Sequence, residues 1–198
     1  MSAAAVEEPF EQPTLLEVAE LISDQFAGYR VEIIGSQITV TPSPNMKHGR
    51  SVKRLDRVFL AAGLDDGDTE VFQGIGIWLP DGPSDFAIPD LAIVDANSDD
   101  KLIEYNSYDP AIFRLVVEVT SSNLSDDLKR KPAAYASAGV PVYLIVDRTN
   151  QRVMVLTDPQ DGEYRVHAVH HPGQSFTLPE SIGASVTLLV DDVLAAKQ

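Results

Sequence analysis

Two short apolar runs, each with a carboxylate at one end, constrain this chain most. Asp90 precedes the run at residues 91–94, and Glu118 lies near the end of the run at residues 112–119. Both runs are apolar on both faces, which is typical of strands buried in the middle of a sheet. A carboxylate buried without a partner costs several kcal/mol or becomes protonated. We therefore expect each acid to have either a partner or a function at the end of its strand.

The order of the two strands predicts where these acids lie. If the strands pair antiparallel, the first residue of one lies near the last residue of the other. This pairing would bring Asp90 and Glu118 to the same edge of the sheet. Residues 95–112, between the runs, are predicted to form a long polar loop.

A helical pattern follows the second run. Three polar side chains recur in it at i, i+4 and i+8, the spacing of one helical stripe: Asp127, Lys131 and Tyr135. Ser125 is predicted to cap this helix, and Pro132 predicts a kink or a restart that holds Lys131 at the break. Gly139 ends the pattern, and residues 140–146 form a further buried strand.

The other elements complete one mixed α/β domain. Residues 1–12 are predicted to be a disordered lead-in, and residues 13–198 a single domain of the α+β mixed-sheet type. Predicted helices cover residues 14–26, 47–62 and 190–196. Predicted strands cover residues 29–34, 37–41 and 69–79, then a hairpin of 152–157 and 164–169 across a turn at 158–163, and a last strand near 176–178 or 185–188.

Composition limits the binding partners, the metal sites and the cellular compartment that we expect for this chain. Thirty acidic and 15 basic residues give a formal net charge of −15, the opposite of the basic surface expected of a nucleic-acid-binding protein. The chain has no cysteine, which excludes disulfides and thiolate metal sites. No apolar run is long enough to span a bilayer and no basic-then-apolar leader opens the chain, so we expect a cytoplasmic protein without membrane contact.

One predicted helix concentrates basic residues. Its polar positions are Lys47, His48, Arg50, Lys53, Arg54 and Arg57. A solvated helix face is the simpler interpretation, and a local phosphate-facing patch on an acidic protein is the alternative.

Two carboxylates at one sheet edge with a nearby lysine form a site for a divalent metal. Mg²⁺ prefers hard oxygen ligands, often one or two carboxylates with water and substrate phosphate. From spacing alone, a second interpretation stays open, in which Asp127 and Lys131 form a surface ion pair and Asp90 caps a turn after Pro89.

The ordered motifs resemble those of one nuclease family. They are Pro89-Asp90, then Glu118-Val119-Thr120-Ser121, then Asp127, Lys131 and Tyr135, then Gly139-Val140-Pro141 and residues 143–147. This set resembles the Uma family of restriction-endonuclease-like proteins, within the PD-(D/E)XK nuclease superfamily. The resemblance extends to Glu32, to Pro42-Ser43-Pro44 and to His48, and it covers residues 14–195. It implies a mixed sheet with flanking helices and extra β-hairpins, and a metal-dependent phosphodiesterase site at one sheet edge.

The resemblance also implies roles for individual residues. Asp90 and Glu118 would bind Mg²⁺ or Mn²⁺, with the backbone carbonyl of Val119 as a further ligand. Thr120 stands where the superfamily usually has its lysine, and Lys131 from the following helix would replace that lysine. Four residues would support the site: Asp127, Tyr135, His48 and Glu32.

Two functions remain open at this stage. The first is an Mg²⁺-dependent endonuclease that hydrolyses DNA, with Asp90, Glu118 and Lys131 as its catalytic residues. The second is a non-catalytic binding or regulatory module that retains the fold and binds a protein partner, which the net charge favours. Family analogy implies a homodimer in either case.

Overall fold

The computed structural model of this chain describes residues 12–120 and 126–194, without the side chains of Asp126 and Asp127. The predicted lead-in at residues 1–12 lies outside this description except for Gln12, and so does Ser125. The prediction of one domain over residues 13–198 stays a prediction.

Fourteen strands and four α-helices form the described part of the chain. The helices are α1 (Leu15–Gln25), α2 (Met46–Ala61), α3 (Lys131–Ser137) and α4 (Val190–Val193). The strands are β1 (Arg30–Ile33), β2 (Ile38–Thr41), β3 (Thr69–Phe72), β4 (Gly76–Trp78), β5 (Phe86–Ala87), β6 (Leu91–Asp95), β7 (Leu102–Glu104), β8 (Ser107–Tyr108), β9 (Phe113–Val119), β10 (Val142–Asp147), β11 (Arg152–Gln160), β12 (Glu163–His170), β13 (Ser175–Leu178) and β14 (Val186–Leu189).

The central sheet has six strands in the order β12-β11-β10-β9-β6-β3. Strand β9 lies in its middle, antiparallel to β6 and parallel to β10. These three strands are almost entirely buried, as their apolar sequences predict. One face packs against α2, α4 and the separate hairpin β13-β14, and the other face packs against α3. The predicted mixed sheet with flanking helices and extra hairpins is confirmed.

The second sheet has the order β2-β1-β5-β4-β8-β7. Its β1-β2 hairpin turns through Gly35 and Ser36, which both have positive φ, as the two-residue turn requires. Helix α1 packs on this sheet and begins with a reciprocal capping box between Thr14 and Glu17, as predicted.

Three sequence predictions are wrong in detail. Residues 69–79 form two strands in different sheets, because the chain leaves β3 and passes through Gly74, at φ 70°, before it enters β4. Residues 95–112 are not a plain loop, since they contain β7 and β8.

The third error concerns the hairpin β11-β12. Its turn is only Asp161-Gly162, both at positive φ, and not residues 158–163. Pro159 lies inside β11, and its missing N–H costs no ladder hydrogen bond to β10, which pairs with β11 only as far as Thr157.

The predicted restart at Pro132 is confirmed. A π-helical turn, Asp126–Arg130, leads into α3, which begins at Lys131 with Pro132 in its first turn. Neither α3 nor any other helix in the described ranges is long and apolar enough to cross a membrane.

Candidate active site

Asp90 and Glu118 lie side by side at one edge of the central sheet. Leu91 on β6 pairs with Val117 on β9, and the backbone N of Asp90 donates to the carbonyl of Val117 at 3.0 Å. Because side chains alternate along a strand, Asp90 and Glu118 share the face that Ala92 and Val116 present to α3. The antiparallel pairing expected from the sequence is therefore observed.

Asp90 is held from three directions. Its Oδ1 accepts a hydrogen bond from Nη2 of Arg30 at 2.9 Å. Its Oδ2 lies 2.9 Å from Nε2 of His48 and accepts from the backbone N of Val119 at 2.8 Å. An ionised carboxylate can only accept, so Nε2 of His48 carries the hydrogen of this contact. Burial alone would raise the pKa of Asp90, but His48, Arg30 and the Val119 amide together lower it to about 2.

Glu118 is buried against the start of α3. Nζ of Lys131 lies 2.7 Å from Oε1 of Glu118, and the hydroxyl of Tyr135 donates to the same oxygen at 2.8 Å. Burial and the neighbouring carboxylates of Glu118 and Glu32 raise the pKa of Tyr135 well above its ordinary value. Tyr135 therefore stays a hydrogen-bond donor at any working pH.

Lys131 joins the two sheets. It also lies 3.0 Å from Oε1 of Glu32, which stands on β1 of the second sheet and accepts from the backbone N of Ile88 at 2.8 Å. Glu32, Glu118 and Lys131 are each at most 3% exposed. Buried charges of this kind are stable only when they are paired, and the start of α3 at Lys131 places this ammonium within reach of both acids.

These side chains line a cleft of about 380 Å³ between the sheets. Strands β1 and β2, the segment Pro42-Ser43-Pro44 and the first turn of α2 form one wall. The opposite wall contains Asp90, Glu118, Val119 and Lys131. Charged groups of both signs thus meet in a concave site that opens to solvent.

The structure brings together nearly all of the residues predicted for the site. They are Glu32, His48, Asp90, Glu118, Val119, Lys131 and Tyr135. The side chain of Asp127, the remaining predicted member, lies outside the described residues, and only its place in the π-helical turn is known.

Arg30 was not predicted. The sequence nevertheless carried a signal for it, because Arg30 and Glu32 alternate with Val31 and Ile33 along β1. Two charged residues two positions apart on a buried strand face the same side. Burial alone would lower the pKa of Arg30. The negative charges of Asp90, Glu118 and Glu32 instead hold this pKa above its ordinary value.

Thr120 has a structural role at the position where the superfamily usually has lysine. Its Oγ1 lies 3.2 Å from the carbonyl oxygen of Val146 and accepts from the backbone N of Arg148 at 3.0 Å. This buried hydroxyl joins the ends of β9 and β10 and supplies no charge. The buried cation beside Glu118 comes from α3 instead.

The donor set fits a hard divalent cation. Among the described residues, no group of three His, Cys, Asp or Glu side chains is arranged to hold a metal, which argues against a cage built from side chains. Two adjacent carboxylates match the Mg²⁺ pattern of few protein ligands completed by water and phosphate. The backbone N–H of Val119 points to Asp90. Because the carbonyl of a strand residue faces the same side as its N–H, the Val119 carbonyl faces that side as well.

The basic helix divides into two parts. His48 is buried against Asp90, whereas Lys47, Arg50, Lys53 and Arg57 are exposed and Arg54 donates to the carbonyl of Asp192. Only His48 of this set enters the cleft.

A mixed sheet with two acids and a lysine in a cleft at its edge defines a restriction-endonuclease-like protein. A family model described as "Uma2: Putative restriction endonuclease" matches residues 16–191. The chain therefore belongs to the Uma2 family, as its motifs indicated.

The fold is also similar to that of a solved structure. It is the crystal structure of a "putative nuclease belonging to DUF820" from Anabaena variabilis, with a TM-score of 0.67 and 17% sequence identity. The similarity covers 93% of this chain and 98% of that chain. No curated protein matches this chain in sequence.

Proposed function

We propose that this protein is a metal-dependent nuclease that hydrolyses phosphodiester bonds of DNA. The observation that carries the proposal is the placement of Asp90 and Glu118 on adjacent strands, in a cleft that also holds a buried lysine. Membership of a restriction-endonuclease-like family supports the same reaction.

Asp90, Glu118 and the Val119 carbonyl would hold a divalent cation, Mg²⁺ or Mn²⁺. When bound, such an ion polarises a phosphoryl oxygen and lowers the pKa of water. His48 and the Val119 amide orient Asp90 and keep it ionised, so the site has an anionic ligand at neutral pH. Tyr135 orients Glu118 by donating a hydrogen bond to its Oε1.

Lys131 would orient the attacking water or stabilise negative charge that develops on the phosphate. Its ammonium is held between Glu32 and Glu118 at the wall of the cleft, so its position is fixed before substrate binds. Arg30, on β1, adds a second cation from the facing wall of the cleft, where a phosphate would approach. These residues let the site accept an anion although the whole chain is acidic.

A non-catalytic module with the same fold is the second candidate. It is favoured by the net charge of −15 and by the fact that both acids already have partners, Asp90 in Arg30 and His48, and Glu118 in Lys131. Such a module would bind a protein partner through the cleft or through an assembly surface. We expect a cytoplasmic homodimer for either candidate.

A cleavage assay distinguishes the two candidates. Duplex and single-stranded DNA are incubated with Mg²⁺ or Mn²⁺ and with wild type, Asp90→Asn, Glu118→Gln or Lys131→Met. The matched control is Asp95→Asn, which changes an aspartate at the opposite end of β6.

Cleavage that needs the metal, disappears in the three site variants and persists in Asp95→Asn would support the nuclease. Equal cleavage by all variants would trace the activity to a contaminant and overturn this assignment. A wild type that binds metal and cleaves neither DNA would favour the non-catalytic module.

A further inference from the structure

A second hollow adjoins the cleft. It measures about 350 Å³ and shares Pro42, Ser43 and Pro44 with the cleft wall. Among the described residues, its remaining lining comes from Asn45 at the start of α2 and from Thr120, Arg148 and Thr149 at the ends of β9 and β10. An extended molecule held in the cleft could therefore continue into this hollow without leaving the surface.

Arg148 is the one charged side chain that lines the hollow in the described part of the chain. Its backbone N donates to Oγ1 of Thr120 and to the carbonyl of Val146, which fixes where its side chain leaves the sheet edge. Strands β9 and β10 are parallel, so Arg148 stands at the same edge as Glu118.

No carboxylate among the described side chains pairs with Arg148. This sets it apart from the arginines that do have an aspartate partner, which are Arg30, Arg114, Arg152 and Arg165. Partial burial, with no compensating acid, lowers the pKa of the Arg148 guanidinium. In a chain with twice as many acidic as basic residues, a half-buried arginine without an acidic partner calls for an anion from outside.

Two backbone amides close to the hollow, at the start of α2, already have a hydrogen-bond acceptor. The side chain of Asn45 accepts from the amides of Lys47 and His48 at the start of α2. The anion site therefore depends on the Arg148 side chain and not on these amides. The exposed cations Lys47 and Arg50 follow on the same helix.

We propose that the hollow binds a backbone phosphate of the DNA strand, adjacent to the phosphate that is cleaved, through the guanidinium of Arg148. This proposal rests on the proposed nuclease function and adds the direction in which the strand leaves the cleft. Arginine suits this role because its planar guanidinium can donate two parallel hydrogen bonds to one phosphate.

The test measures DNA binding as a function of salt. A short labelled duplex is titrated with wild type, Arg148→Gln and Arg148→Lys between about 50 and 200 mM salt, first in EDTA and then with Ca²⁺. The matched control is Arg165→Gln, which makes the same charge change at an exposed position on β12. Comparing the two glutamine variants separates a local contact from the effect of net charge.

One phosphate contact contributes about 0.9 to the slope of log K against log salt, or about eightfold in affinity at 0.1 M salt. Arg148→Gln is expected to lose this slope and this affinity, and Arg165→Gln is expected to match wild type in both. Arg148→Lys is expected to retain most of the wild-type slope. Equal slopes for the two glutamine variants would overturn the proposal, and so would a wild type that binds no duplex in either condition.

A separate measurement keeps this proposal distinct from the nuclease function. Mn²⁺ binding is measured by calorimetry on the same Arg148→Gln sample. Unchanged metal binding with an unchanged salt slope would remove only the phosphate site. Loss of metal binding in Arg148→Gln would show that the variant disturbs the cleft, and would contradict a role confined to the hollow.

Discussion

Nζ of Lys131 lies 2.7 Å from Oε1 of Glu118, and this pair connects the start of α3 to the central strand β9. Both side chains are buried, and Glu32 contacts the same ammonium from the second sheet. The cleft is therefore built around one cation shared by two acids. Its chemistry and its stability should respond together when that cation is changed.

Lys131→Met should destabilise the protein and make its stability depend on metal. Removing one partner of a buried ion pair costs about 3–5 kcal/mol, because the remaining charges are left uncompensated. A divalent cation would restore positive charge beside Glu118. Mn²⁺ should therefore raise the melting temperature of Lys131→Met more than that of wild type, as measured by thermal unfolding with and without the ion.

Lys101→Met is the matched control for this prediction. Lys101 is half exposed, and among the described residues it forms an ion pair only with the exposed Asp100. This variant should keep the wild-type response to Mn²⁺. An equal Mn²⁺ response of wild type and Lys131→Met would contradict a shared role for metal and lysine at Glu118.

Tyr135→Phe should lose about 1.5–3 kcal/mol of unfolding free energy, the usual value of a hydrogen bond to a charged acceptor. The ring is expected to keep its packing, edge-on to Tyr143 at 5.0 Å between centroids. Denaturant unfolding of both proteins measures the difference.

Two comparisons sharpen the Tyr135 prediction. Tyr164→Phe removes a hydroxyl that donates to the neutral carbonyl of Val140, so it should cost less, about 0.5–1.5 kcal/mol. Folding raises the pKa of Tyr135, so its contribution is complete below the unfolded value of about 10 and is lost only above it. The loss in Tyr135→Phe should therefore be constant from about pH 6 to 9, and a loss that varies across this range would refute the assignment.

Protonation of Asp90 in acid should lower the free energy of unfolding. Its folded pKa of about 2 lies below the ordinary value of 3.8, so its contribution is present above that value and disappears as the pH falls toward 2. The difference between these two pKa values corresponds to about 2 kcal/mol of unfolding free energy. In urea unfolding between about pH 6 and pH 3, the stability gap between wild type and Asp90→Asn should narrow as the pH falls. A gap that stays constant or widens would contradict the depressed pKa.

Arg30→Gln should strengthen metal binding. Arg30 pairs with Oδ1 of Asp90 at 2.9 Å, so its charge opposes a cation on the same carboxylate. A charge about 4 Å away is worth about 1–4 kcal/mol near a protein surface, so we expect affinity for Mn²⁺ to rise about tenfold. Calorimetric titration measures the change. The control is Arg114→Gln on β9, since Arg114 pairs with Asp95 at the other end of β6. Weaker binding by Arg30→Gln would show that Arg30 supports the metal site.

The sequence predicted the center of the site because one geometric rule connects it to the fold. Two apolar runs, paired antiparallel, place Asp90 beside Glu118, and Pro132 fixes where α3 begins and hence where Lys131 lies. Local patterns and strand pairing indicated these positions, and the resemblance to the Uma family assigned the three residues to one site.

The rest depended on contacts between distant segments. Arg30 and Arg148 join the site region only because the second sheet and the end of β10 fold against it. The alternation along β1 indicates that Arg30 faces the same side as Glu32, but it does not indicate which distant residues Arg30 meets. The assignment of residues 69–79 to two sheets failed for a related reason. Alternating apolar residues show that a segment is extended, but they do not show which sheet it joins.

The proposed nuclease requires that Asp90 and Glu118 share one divalent cation. Calorimetric titration of Mn²⁺ into folded wild type, Asp90→Asn, Glu118→Gln and Asp95→Asn tests it most directly. The predicted result is saturable binding by wild type and Asp95→Asn, with binding lost in each of the other two variants. No binding by wild type, or undiminished binding by either Asp90→Asn or Glu118→Gln, would contradict the shared site.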